Sequence, residues 1–196
     1  MRPETLLAKF NLKGLNYEQM HNGGGKGLFS VEEQLAMVGV TWSESPVGFL
    51  VLFVEMHNHQ HSRKMLEQAI VAELNTLTIT WRGQKSEHAL NALVHAAIEE
   101  AISPLGRVCP TCNGSGLYTT ARRQKRNCTH CKEGRIPWNM ETRFAVVCSG
   151  RFACTYSMFK RYHSVLEKVT YWLSGKRNAA MLALMERIEQ EEEAAA

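Results

Sequence analysis

The chain carries six cysteines, and four of them fall into two C-x-x-C pairs. Cys109-Pro110-Thr111-Cys112 is followed, after fifteen intervening residues, by Cys128-Thr129-His130-Cys131. Two short C-x-x-C turns each bring two thiolates to one point, which gives the tetrahedral four-sulfur set of a structural zinc site. Gly114 and Gly116 after the first pair, and Gly134 after the second, allow the tight backbone of such knuckles. The other readings of these thiols are four free cysteines or two redox-active pairs. A redox C-x-x-C wants a strand before it and a helix after it, whereas Pro, Asn, Gly and Arg surround both pairs here. The spacing therefore predicts one structural Zn2+ held by Cys109, Cys112, Cys128 and Cys131. Four protein ligands leave no open position for hydrolysis. His130 sits between two ligands and is not expected to be one. Cys148 and Cys154 read as small buried hydrophobes.

Charge gathers around the same cysteines. The net charge is +4, but residues 1–105 carry −3, 106–137 carry +6, 138–178 carry +5 and 179–196 carry −4. Such asymmetry points to a polyanionic partner, with nucleic acid first among them. Between the cysteine pairs lie Arg122, Arg123, Lys125 and Arg126. A metal-anchored loop presents such side chains to phosphates or base edges; the plainer reading is a solvated charge run. Residues 139–173 read as helix, short break and longer helix, the outline of a helix-turn-helix. Arg161 and Lys168 would lie on the outer side of the second helix, with Lys160 near its border. Helical hairpins of any purpose give the same outline.

Little in the chain points to catalysis. It has no Asp, no G-x-S-x-G, no P-loop and no dinucleotide-binding glycine pattern. His57-Asn58-His59-Gln60-His61 is a run of imidazoles, read as a surface cluster or a weak metal contact rather than a nuclease centre. The chain is not expected to be an enzyme.

The elements that must position these residues read as mainly α-helical, with the four-cysteine zinc module inserted between helices. Residues 1–30 are expected to be loosely ordered. Ser30 and Glu33 form a capping-box pattern, and Ser45-Pro46 is a break. Residues 47–55 are continuously apolar, and periodicity does not separate a buried helix from a strand there. A helix over 62–77 would bury Met65, Ala69, Ala72, Leu74 and Leu77. The β-branched residues of 76–81 predict a short strand or extended link. The clearest helix covers 86–102, with Leu90, Leu93, Val94, Ala97, Ile98 and Ala101 inward. Asn139 can cap the first helix after the module, and Ser174-Gly175 predicts a break before a last helix over 178–193. The resulting map is a flexible segment 1–30, a helical part 31–105, the zinc module 106–137, the helix-turn-helix candidate 138–178 and a C-terminal helix with acidic tail, 179–196. No secretory signal or membrane-length apolar stretch is visible, so a soluble intracellular protein is expected.

With those residues in view, the module C-P-T-C-N-G-S-G…C-T-H-C-K-E-G-R resembles the zinc-binding segment of the late-gene antitermination protein Q family of lambda-like bacteriophages. The opening residues M-R-P-E-T-L-L-A-K-F resemble the start of the same family. The first pair is also similar to the C-x-x-C-x-G-x-G unit of DnaJ-type cochaperones. Those carry four such units and a His-Pro-Asp motif, and this chain has neither. The Q resemblance implies a helical DNA-binding protein that joins bacterial RNA polymerase holoenzyme at a promoter-proximal pause. It implies transcription antitermination, in which polymerase then reads through pauses and terminators. A host Nus-type elongation factor would be an optional further partner. It also implies the cytoplasm of a bacterial host, and a phage or prophage origin. The coarser alternative is a zinc-dependent DNA-binding transcription regulator without antitermination.

Overall fold

The computed structural model describes residues 2–11, 14–15, 31–58, 60–83, 86–120, 123–149 and 152–194. Among these the chain is mainly helical, with seven α-helices and three small two-stranded antiparallel ribbons. It divides into two compact units, Met1–Asn75 with Tyr171–Ala196, and Thr76–Thr170.

The first unit begins with α1 (Pro3–Ala8) and a minimal ribbon of β1 (Phe10–Asn11) and β2 (Gly14–Leu15). Within the segment expected to be loosely ordered, residues 3–8 are thus helical. Pro3 suits the first turn, whose N–H has no helical partner in any case. Leu6 and Leu7 are fully buried, and packing rather than propensity stabilises so short a helix. His57 Nε2 donates to the Leu7 carbonyl at 3.2 Å. The imidazole run thus starts as a structural tie, while His59 lies outside the described residues. So do 16–30, including Ser30 of the expected capping box.

Two helices follow, α2 (Val31–Glu44) and α3 (Pro46–His57). The undecided apolar run is helical, with Gly48 through Val54 all buried. Asn58 closes α3 in the left-handed region at φ 48°, its N–H bonded to the Val54 carbonyl. Met37, Val38, Phe49, Leu52 and Phe53 pack in one core with Leu6, Leu7, Ala180, Leu184 and Ile188. A Cβ on Gly48 would run into the Lys176 carbonyl oxygen and stand 2.7 Å from the Ala180 Cβ. Glycine is what permits that approach. Arg177 then pairs with both carboxylate oxygens of Glu55, at 2.7 and 2.9 Å.

In α4 (Gln60–Leu77) the buried row is Ser62, Leu66, Ile70 and Leu74. The expected stripe was one position out of phase, since Met65 is exposed and Leu74 alone of its members is buried. Two adjacent apolar rows compete on this helix, and the bulkier Leu66–Ile70 row removes more apolar area from water.

The second unit begins at the end of α4. Helix α4 ends at Leu77 as expected, and Thr78–Thr80 form a turn in place of the expected strand or extended link. Ile79 is 80% exposed, so its β-branched character fills no sheet. Helix α5 (Glu87–Ala101) buries Leu93, Val94, Ala97, Ile98 and Ala101 as expected, with Ala89 rather than Leu90 fully inside. After the inserted module come α6 (Met140–Ser149) and α7 (Tyr156–Ala194). The Asn139 cap is formed, its Oδ1 accepting from the Thr142 N–H at 2.8 Å. Thr155 does the same for α7, accepting from the Met158 N–H. The break expected at Ser174-Gly175 is absent, and α7 runs unbroken for 39 residues. A glycine costs a helix only about 1 kcal/mol relative to alanine. The buried positions Val165, Val169, Leu173, Ala180, Leu184 and Ile188 continue across it.

Candidate metal centre and its cationic hairpin

The insertion between α5 and α6 is built from β3 (Arg107–Val108), β4 (Leu117–Thr119), β5 (Lys125–Asn127) and β6 (Arg135–Ile136). Strands β3 and β6 pair to close its base, and β4 and β5 pair as a hairpin. Trp138 Nε1 donates to the Ser103 carbonyl at 2.7 Å, joining the entering and leaving chain.

Each C-x-x-C turn ends in left-handed backbone. Asn113, Gly114 and Gly116 have φ of 50°, 82° and 69°, and Glu133 and Gly134 have φ of 51° and 86°. The two turns press on one another: a Cβ on Gly134 would collide with the Gly114 carbonyl oxygen. The Cys109 N–H bonds to the Gly134 carbonyl and the Cys128 N–H to the Gly116 carbonyl, so each knuckle is tied to the other's glycine. This cross-bracing needs no periodic pattern, only glycine at set offsets from cysteine.

The bracing gathers the four predicted cysteines. Their sulfur atoms all lie within 4.8 Å of one another, with Cys109–Cys128 at 4.0 Å and Cys112–Cys131 at 3.5 Å. A tetrahedral zinc with ~2.3 Å Zn–S bonds places its sulfurs about 3.8 Å apart, close to the Cys109–Cys128 and Cys112–Cys131 separations. Cys109, Cys112 and Cys128 are buried and Cys131 partly so.

The thiols also fit a cation by charge. Burial pushes the Cys109 thiol up, but hydrogen bonds with the Cys112 and Thr111 backbone and the Cys131 and Cys112 thiols outweigh it, bringing it down to about 6. Burial and the Cys112 and Cys128 thiols push Cys131 up to about 12. Thiols this close do not ionise together unaided; a divalent ion supplies the charge that makes all four thiolates. The centre is a structural zinc site. His130 is exposed outside the quartet.

Cys148 and Cys154 form a separate pair, their sulfurs 3.8 Å apart across the α6–α7 break. They are half-buried rather than fully buried. Burial, then the neighbouring Cys148 thiol, pushes Cys154 up to about 11.

The predicted cations fall into two places. Arg123, Lys125 and Arg126 are exposed on the hairpin, and Arg122 lies outside the described residues. Thr120 builds the hairpin turn, its carbonyl accepting from the Arg123 N–H and its hydroxyl from the Gln124 N–H. No carboxylate of the described residues pairs with Arg123, Lys125 or Arg126. Arg135, also exposed, donates from Nη1 to the Gly106 carbonyl at 3.0 Å.

Lys160, Arg161 and Lys168 are exposed on α7. Lys160 lies 5.1 Å over the Tyr156 ring, and Lys168 donates to the Thr80 hydroxyl at 2.9 Å. The Arg161 carbonyl accepts from Trp81 Nε1. Of the α7 cations, Lys160 and Lys168 are thus engaged within the fold through their ammonium groups, whereas the Arg161 contact is through its backbone.

A family model for the transposase zinc-ribbon domain matches residues 92–134, which hold the last two thirds of α5, both knuckles and the hairpin. No curated protein and no solved structure matches the chain. No described helix is long and apolar enough to cross a membrane.

Proposed function

We propose that this chain is a zinc-dependent nucleic-acid-binding protein that regulates transcription by binding DNA. One observation carries the reading. A four-cysteine ribbon, matched by a transposase zinc-ribbon model, holds Arg123, Lys125 and Arg126 outward without a carboxylate partner among the described residues. Cations without a carboxylate partner among the described residues gain by displacing the counterions of a phosphate backbone. The α6–α7 pair offers Lys160, Arg161 and Lys168 as a second, weaker contact. The chain works by binding, without bond chemistry of its own.

Anisotropy titrations of a labelled DNA duplex test this. Replacing Arg123, Lys125 and Arg126 together by Gln should lower affinity at least tenfold at ~0.1 M salt. An unchanged affinity with one zinc still bound refutes it.

The narrower reading is antitermination on bacterial RNA polymerase, with a host Nus-type factor as an optional partner. It rests on the resemblance of residues 1–10 and of the cysteine module to the Q family. A reporter behind tandem terminators, carrying the protein's own DNA site, decides it. Read-through that does not rise when the protein is supplied sinks that reading and leaves the DNA-binding one standing.

A further inference from the structure

The β4–β5 hairpin has no buried face. All six of its strand residues are exposed, so neither Leu117 nor Tyr118 fills a core. Tyr118 pairs directly with Arg126 across the ladder, flanked by Leu117–Asn127 and Thr119–Lys125. Directly opposed residues share a face of a sheet, and neighbours along a strand alternate. Tyr118 and Arg126 therefore stand side by side on one face, with Thr119 and Lys125 on the other. Tyr118 is 37% exposed, and no aromatic ring among the described residues stacks on it.

An exposed ring beside a guanidinium that pairs with no carboxylate of the described residues suits a particular feature of nucleic acid. A base offers its π-face only when it is unpaired, whereas in a duplex that face is hidden in the stack. The guanidinium can then take the adjoining phosphate. The strands are short, about 10 Å against the ~34 Å turn of a duplex, which suits a local contact rather than a ribbon following a groove.

We infer that the Tyr118–Arg126 face of the zinc-anchored hairpin is a stacking platform for an unpaired base, with Arg126 on its phosphate. The inference rests on the nucleic-acid reading above and names the form of strand it takes. Melted DNA and RNA both present this chemistry.

Anisotropy titrations of the full chain use labelled single strands of DNA and RNA, about twelve nucleotides long, and the DNA duplex of the same sequence. Tyr118→Ala should weaken single-strand binding roughly 5- to 100-fold while changing duplex binding less than about twofold. Tyr118→Phe should restore it, because stacking needs the ring and not the hydroxyl. One zinc per chain shows that the module is intact. If the alanine variant loses zinc, Tyr118→Thr removes the ring while keeping a strand-compatible residue. A loss confined to DNA or to RNA supports the platform and identifies the source. An equal loss on single strand and duplex overturns the platform, as does no loss on either strand. A wild-type chain that binds only duplex overturns it too, and leaves the underlying reading intact. A wild-type chain that binds none of the three overturns both.

Discussion

Arg143 and Glu100 meet as a two-pronged pair, with Nε 2.8 Å from Oε2 and Nη2 2.6 Å from Oε1. They join α5 to α6, the two helices between which the ribbon is inserted. Glu167 and His163 of α7 extend the network to a third helix. The Glu100 hydrogen bonds raise the Arg143 pKa further, so the guanidinium is charged at any working pH.

Removing one partner from so enclosed a pair leaves the other charge stranded. Arg143→Met should cost about 3–5 kcal/mol in urea denaturation followed by helical circular dichroism. Adding Glu100→Leu should recover a large part of it, because the stranded carboxylate is gone. A single-variant loss below ~1 kcal/mol would place the pair in screened solvent instead.

Two glycines should respond in opposite directions. Gly175→Ala meets nothing within 4 Å and lies inside a continuous helix, so it should stabilise by about 0.5–1 kcal/mol. Gly48→Ala drives a Cβ into the Lys176 carbonyl and should destabilise by at least ~1–3 kcal/mol. Thermal melts of the two variants side by side check both signs. A destabilising Gly175→Ala would argue for a bend there.

Much of the site was legible because cysteine and glycine chemistry is local. C-x-x-C spacing and glycine at fixed offsets define a knuckle without reference to the rest of the chain. The Asn139 cap and the α5 face were legible for the same reason. What could not be read depends on distant partners. Leu6 and Leu7 order α1 by being buried, not by any pattern of their own. Leu66 and Ile70 win over Met65 and Ala69 because of which face meets a core. Ser174-Gly175 looks like a stop, yet the apolar rows on both sides hold the helix through it. Tyr118 stands out by no pattern along the chain, since the residue it pairs with lies across the ladder.

The α6–α7 joint carries a titration that zinc does not touch. Cys154 is held up at about 11, so folded chain keeps its proton where unfolded chain, near 9, has lost it. Its contribution is complete below about pH 9 and fades as pH rises through about 11. Stability should therefore fall over that window by more in the wild-type chain than in Cys154→Ser. The checking measurement is a series of urea midpoints from pH 8 to 11. Parallel curves for the two chains would show that the thiol ionises freely.

Salt should report the hairpin. Each lost phosphate contact lowers the slope of log affinity against log salt by about 0.9 on duplex DNA. Lys125→Gln and Arg126→Gln should each lower it by about that amount, while Lys168→Gln, already bonded to Thr80, should lower it less. Equal slopes for wild-type and hairpin variants would remove these cations from the interface.

The proposed function requires zinc to hold the charges that bind nucleic acid. Its most direct test measures zinc content and labelled-DNA affinity on the same samples of wild-type chain and Cys112→Ser, with wild-type chain also stripped by chelator and then reloaded. We predict one zinc per wild-type chain, none in Cys112→Ser, at least tenfold weaker binding in both zinc-free samples, and recovery only when wild-type chain is reloaded. Undiminished DNA binding by zinc-free chain, or a full zinc in Cys112→Ser, would contradict it.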